Sequence, residues 1–168
     1  MSHWLFRHLS FGSQKKEGFK KAFTLVELLL TIAIVGTLSA IAVPTYTNYI
    51  QKNNNNTAIV DINNIASQIE GFRALSGRPP NNFAEANIPA QNDPWGNSYQ
   101  YLRIAGLPPG AWQGQCRRDR SLVPLNSDYD LYSSGPDGMS VAALTAARSW
   151  DDIIRANNGA YVGQASKY

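Results

Sequence analysis

Ala22-Phe23-Thr24-Leu25-Val26-Glu27, followed without a break by Leu28 to Val43, decides how this chain is built. The 21 residues from Phe23 to Val43 carry one carboxylate and no other charge, and as a helix they are long enough to cross a hydrocarbon core ~30 Å thick. Glu27 is the exception in that run. A carboxylate within a membrane costs roughly 2.5–3.5 kcal/mol on insertion scales, so it calls for a partner and a purpose. The preceding residues indicate the partner: residues 1–22 hold Arg7, Lys15, Lys16, Lys20 and Lys21 against Glu17 alone. A basic flank of this kind stays on the cytoplasmic side, and the chain beyond Val43 faces the opposite compartment. If a peptidase cuts between Ala22 and Phe23, the freed α-ammonium of Phe23 lies one helical turn from Glu27, or within reach of a neighbouring subunit's Glu27. Either pairing neutralises the buried charge.

Lys20-Lys21-Ala22 followed by Phe23-Thr24-Leu25-Val26-Glu27-Leu28-Leu29 resembles the class III signal of type IV pilins and type II secretion pseudopilins. The resemblance implies that a prepilin peptidase cuts between Ala22 and Phe23, that the new amine of Phe23 is methylated, and that Glu27, fifth in the mature chain, serves assembly. Ala22 stands where that family usually has glycine. Gly18-Phe19 is a competing cut, but it would put Phe23 rather than Glu27 fifth. Pro44 matches the family's helix-kinking proline, and a proline inside a helix removes one backbone bond and clashes with the turn before it, so a bend is expected near Ile41 to Pro44. Two other readings account for the apolar run alone. A secretory signal would end at Ala40-Ile41-Ala42, with Val43 first in the mature chain, but the run exceeds the usual ~7–15 residue core. A plain single-pass anchor gives no reason for Glu27.

The formal charge of +3 over 168 residues is concentrated in the leader, leaving 10 Lys and Arg against 11 Asp and Glu in the remainder. No nucleic-acid partner is expected from that balance, and Arg117, Arg118 and Arg120 read as a solvated loop or a subunit contact. Both histidines, His3 and His8, lie in the leader, so no Ser-His-Asp or Cys-His set and no histidine zinc site can be built from the mature chain. The expectation is a non-enzyme with no catalytic residues. With Cys116 as the only cysteine, an intramolecular disulfide is excluded.

Beyond Pro44 an apolar stripe recurs every three or four residues through Ile59, Ile62, Ile65, Ala66, Ile69, Phe72 and Leu75, opposite Asp61, Asn64, Gln68 and Glu70. That period predicts an amphipathic helix packed on a sheet. Asn53 to Asn56 are poor helix formers, and Gly77 with Pro79 and Pro80 is a stop. If continuous, Phe23 to Ser76 would be about 80 Å long. Strands are predicted over Tyr99 to Ile104, Tyr129 to Ser133 and, at an edge, Ala160 to Val162, with Ala111 to Ser127 a long connection. The expected fold is α+β and pilin-like: a long amino-terminal helix, membrane-spanning in its first half, on a small antiparallel sheet. The segments would be a cleaved leader (1–22), a transmembrane and assembly helix (23–43), its amphipathic continuation (44–76) and a globular head (77–168).

Asp93-Pro94-Trp95-Gly96-Asn97, Asp130-Leu131-Tyr132-Ser133, Gly135-x-Asp137-Gly138 and Asp151-Asp152-Ile153 occur in the order found in the major pseudopilin of type II secretion systems, which they resemble. That resemblance implies a calcium-binding loop, with Asp137, Asp151, Asp152 and a carbonyl near Ser134 as ligands, consistent with the oxygen preference of calcium. The 13 residues Gly138 to Trp150 are longer and richer in alanine than the family's loop. Leu144 to Arg148 would make a helical turn, and Arg148 could bring a positive charge to the metal position. The alternative reading of the carboxylates is turn caps and ion pairs. A hydrolase using Asp137 and Asp151 is the different-class alternative.

The resemblance as a whole implies a structural subunit of a secretion pseudopilus, or of a type IV pilus. It would be stored in the inner membrane with its amino terminus cytoplasmic and its head periplasmic, in contact with lipid until it assembles. Its partners would be copies of itself in a helical filament, prepilin peptidase, the inner-membrane assembly platform and minor pseudopilins.

Overall fold

A computed structural model describes residues 22–168. The basic leader up to Lys21, with His3, His8 and the competing site Gly18-Phe19, lies outside the described residues. Two compact units are present, one ending at Val43 and the other comprising Pro44–Tyr168.

Helix α1 spans Leu25–Ser76, with Pro44 and Asn53 to Asn56 inside it. Within the first unit its side chains are exposed on every side, from Leu25 at 74% to Val43 at 62%. The stretch is long and apolar enough to cross a membrane. Its threonines hide their polarity locally: Thr31 and Thr37 donate their hydroxyls to the carbonyls of Leu28 and Ile34 at 2.8 and 2.9 Å. Such back-bonding removes polar groups that lipid could not satisfy. Helical assignment continues through Pro44, whose carbonyl accepts the Thr47 hydroxyl at 2.9 Å.

In the second unit the amphipathic half of α1 buries Ala58, Ile62, Ile65 and Ile69. Leu75, expected on the same stripe, is exposed, because the sheet has ended before the last turn. The helix stops at Gly77, which takes a φ of 74° that disfavours other residues and donates its N–H to the Arg73 carbonyl at 2.8 Å.

Four antiparallel strands follow, in the spatial order β1 (Gln100–Arg103), β2 (Tyr129–Ser133), β3 (Ile153–Ala156) and β4 (Tyr161–Gln164). Strand β2 has the predicted bounds, and the predicted edge strand is β4. The sequence reading missed β3 altogether. It is buried throughout and therefore lacks alternation, and it comes directly after the acidic pair that drew the stretch into a loop. Leu144 to Arg148 is helical only at its end, in a 3-10 turn at Ala147–Ser149.

The sheet is covered on both faces. Tyr129, Leu131 and Ile153 meet the α1 isoleucines together with Ile88 and Tyr99. On this face the hydroxyl of Tyr99 donates to Asp61 at 2.9 Å and that of Tyr129 to Glu70 at 3.3 Å. Burial pushes both phenols well above their ordinary range, so they remain donors at any ordinary pH. On the other face Ile154 and Ala156 pack with Leu125, Leu144 and Ala165, while Tyr132 and Tyr161 close the margin. Strand alternation carries Asp130 to this second face. It accepts the Arg117 amide at 2.6 Å and the Asn126 side-chain amide at 2.8 Å.

Truncating Ile62, fully buried between helix and sheet, is expected to cost about 2–5 kcal/mol. Chemical denaturation of the full chain in detergent, followed by near-ultraviolet circular dichroism, measures that loss for Ile62→Ala.

Burial raises Asp130 from 3.8 to about 6, against the lowering effect of its bonds from Arg117 and Asn126. The folded chain therefore holds this proton more tightly than the unfolded chain, and the stability it contributes is lost as pH rises between those two values. A shift of that size corresponds to about 3 kcal/mol. Denaturation midpoints are expected to rise when pH is lowered from 7 to 5, and Asp130→Asn is expected to flatten that slope while lowering stability overall.

Candidate functional site

Ala22 and Phe23 precede the helix, with Phe23 83% exposed. One turn further on, Thr24 and Glu27 bond reciprocally. The Glu27 N–H donates to the Thr24 hydroxyl oxygen at 3.2 Å, while the Thr24 N–H and hydroxyl both donate to Glu27 Oε2, at 3.1 and 3.0 Å. This is a capping box, which satisfies two donors that the start of a helix would otherwise leave bare and sets a negative charge against its positive end.

The sequence reading gave Glu27 an ammonium as its partner and overlooked Thr24. A Thr-x-x-Glu pattern before an apolar run was the available signal. The carboxylate thus has partners within its own chain.

The motifs of the head converge as well. Asp93 accepts the amides of Trp95 and Asn97 at 3.1 and 2.8 Å, fixing a turn from which Asn97 donates to the Gly135 carbonyl at 2.9 Å. Gly135 has a φ of 66°, and a Cβ there would come within 2.6 Å of the Asp151 carbonyl oxygen, so the turn requires glycine. The Asp137 amide approaches Asp151 Oδ2 at 3.4 Å, and Asp137 accepts the Met139 amide at 2.8 Å. These are turn contacts.

Asp152, expected as a calcium ligand, is engaged by an arginine and a serine. Fully buried, it forms an ion pair with Arg117 and accepts the Ser140 hydroxyl at 2.6 Å. Burial pushes its carboxyl upward, while Ser140 and Arg117 oppose the shift. Among the described residues no group of three or more acidic, histidine or cysteine side chains could hold a metal. Of the ligand set implied for calcium, Asp137, Asp151, Asp152 and Ser134, one carboxylate is paired with a guanidinium and Asp137 lies on the exposed side of the turn.

The charge that reaches this region comes from Arg117 rather than Arg148, which is exposed. Of the cluster expected to be solvated, Arg118 and Arg120 are exposed, whereas Arg117 is 2% exposed. It was misread because a sequence run of arginines does not reveal which one turns inward. A groove of about 500 Å³ beside Trp150 is lined by Asp119, Arg120, Leu144 and Tyr168 among others, and the Asp137 and Asp151 pair is not part of its lining.

Residues 19–43 match the prokaryotic N-terminal methylation motif. The chain is similar to type II secretion system core protein G of Pectobacterium carotovorum, 27% identical over 76% of this chain and 84% of that one. To the protein of the same name in Pseudomonas aeruginosa it is 28% identical, over 71% of this chain and 85% of that one. A fimbrial protein of Neisseria meningitidis is 32% identical over 51% of this chain, which spans half the length of that relative. No solved structure matches. A methylation motif opens a long apolar helix, that helix continues onto an antiparallel sheet, and relatives named for secretion match through most of the chain: in these features the chain is similar to type IV pilin-like proteins.

Proposed function

We propose that this chain is a structural subunit of a type II secretion pseudopilus, held in the inner membrane by the first part of α1 and polymerised through it into a periplasmic filament. The observation that carries the reading is the extent of the similarity, which runs into the head for core protein G and covers about half of the chain for the fimbrial relative. Prepilin peptidase cuts between Ala22 and Phe23, the Phe23 amine is methylated, and the head is periplasmic. On assembly the exposed side chains of Leu25 to Val43 exchange lipid for neighbouring subunits, and Glu27 leaves its Thr24 cap for the ammonium of a neighbouring Phe23. Removing one partner of such a buried pair leaves an unmatched charge. The assembly platform and minor pseudopilins are the remaining partners.

A type IV pilus subunit is the second reading, favoured by the fimbrial relatives, one of them 37% identical over 32% of this chain. Deleting the gene separates the two. The secretion reading expects exported proteins to accumulate in the periplasm with surface fibres unchanged, and the reverse result would assign the chain to a pilus.

Mature protein is expected to begin at methylated Phe23 in amino-terminal sequencing and mass spectrometry. Glu27→Ala is expected to cut incorporation into sheared filaments by at least about tenfold, the factor that ~1.4 kcal/mol of lost pairing produces, while leaving membrane insertion and processing intact.

A further inference from the structure

Arg117 reaches three separate parts of the head. Its guanidinium forms an ion pair with Asp152, at the entrance to β3, and donates to the Ser140 hydroxyl and to the Val141 carbonyl, the last at 2.7 Å. It lies 4.2 Å above the ring of Tyr132 in β2, where a cation is attracted by the face of an aromatic ring. Its own backbone is pinned at the same place: the amide donates to Asp130, and the carbonyl accepts the Leu125 amide at 2.7 Å. A single buried charge thus ties the connection after β1 to the loop before β3 and to the sheet beneath them. Binding of a cation by an acidic loop would provide the same kind of tie, and Cys116 next door, free and buried, provides none.

We propose that the Arg117 guanidinium is the built-in cation of this loop, so that the head closes around its own side chain and needs no divalent metal to hold the segment from Ser134 to Asp152. One atom could still attract a metal, since Asp152 Oδ1 is buried without a protein partner. The other oxygen of that carboxylate already faces a full positive charge, and a dication beside it would be repelled at short range in a poorly screened site. The Nε–H of Arg117 is likewise buried and unpartnered. These two atoms are a donor and an acceptor of the kind that arginine and carboxylates pair in a two-point fork. The loop is also fastened from the far side, where the amides of Ala165 and Ser166 donate to the carbonyls of Asp152 and Trp150 at 2.9 and 3.2 Å.

The test is thermal unfolding of the full chain in detergent micelles, in millimolar calcium and in excess chelator, followed by near-ultraviolet circular dichroism. The wild type is expected to melt at the same temperature in both conditions. Arg117→Gln is expected to lower Tm by about 10 °C in both, the shift that breaking a buried pair produces in a chain of this size. Replacing both partners, Arg117→Met with Asp152→Leu, is expected to recover at least half of that loss. If Arg117→Gln does not fold, Arg117→Lys, which keeps the charge but not the fork, is expected to melt below the wild type and to ignore calcium. A wild-type Tm that rises in calcium and falls in chelator would overturn the proposal. So would an arginine variant that melts like the wild type.

Discussion

A four-stranded sheet this small has two faces to keep from water, and the helix can cover only one of them. The apolar stripe on α1 meets Tyr129, Leu131 and Ile153 in the ordinary way, through area removed from solvent. Among the described residues no second long helix covers the opposite face. It is roofed by the long connection after β1, the loop before β3 and the residues after β4, which bring Leu125, Leu144 and Ala165 to a smaller apolar cluster with Ile154 and Ala156. Buried polar groups complete the cover, Arg117 with Asp152 and Asn126 with Asp130 at 2.8 Å. Pairs of this kind contribute little net stability once desolvation is counted, but they accept few alternative partners, and they therefore specify where each loop must lie.

The amino end obeys a different logic, because there the surface is apolar and the polar group is the rarity. A free carboxylate at the head of a membrane helix would be a standing cost. The capping box removes that cost locally, with one hydroxyl and one amide from Thr24. Any charged partner brought to Glu27 would have to displace two hydrogen bonds, not merely find an unsatisfied charge.

Much of the architecture was legible because it rests on periodicity and on turn chemistry. The 3.6-residue stripe located the helix face, Gly77 marked its end, and alternation located β2 to the residue. The run of asparagines at 53–56, locally unfavourable to a helix, was carried by the continuous segment around it. Strand β3 escaped because burial on both faces erases alternation, and Arg155 within it resembles an interruption until it is seen stacked 4.0 Å from the Tyr129 ring. At the acidic loop the sequence marked the carboxylates but not the arginine that pairs with Asp152. Three neighbouring arginines are equivalent on paper, and only the path of the chain from Cys116 to Leu125 decides that Arg117 points into the protein. Thr24 was missed for a simpler reason, in that the attention given to Glu27 as a membrane charge obscured its role as a cap.

The hydroxyls of Tyr99 and Tyr129 meet Asp61 and Glu70 at two points nine residues apart along the helix. An apolar stripe with a repeating period is tolerant of sliding, since a shift of one turn sets isoleucine against similar surroundings. The two phenols are not tolerant: the same shift parts both from their carboxylates at once. They act as dowels that index the rod to the plate. A pull along the axis of this half of the helix would load them in shear, side by side, before the greased surface between them could begin to slip.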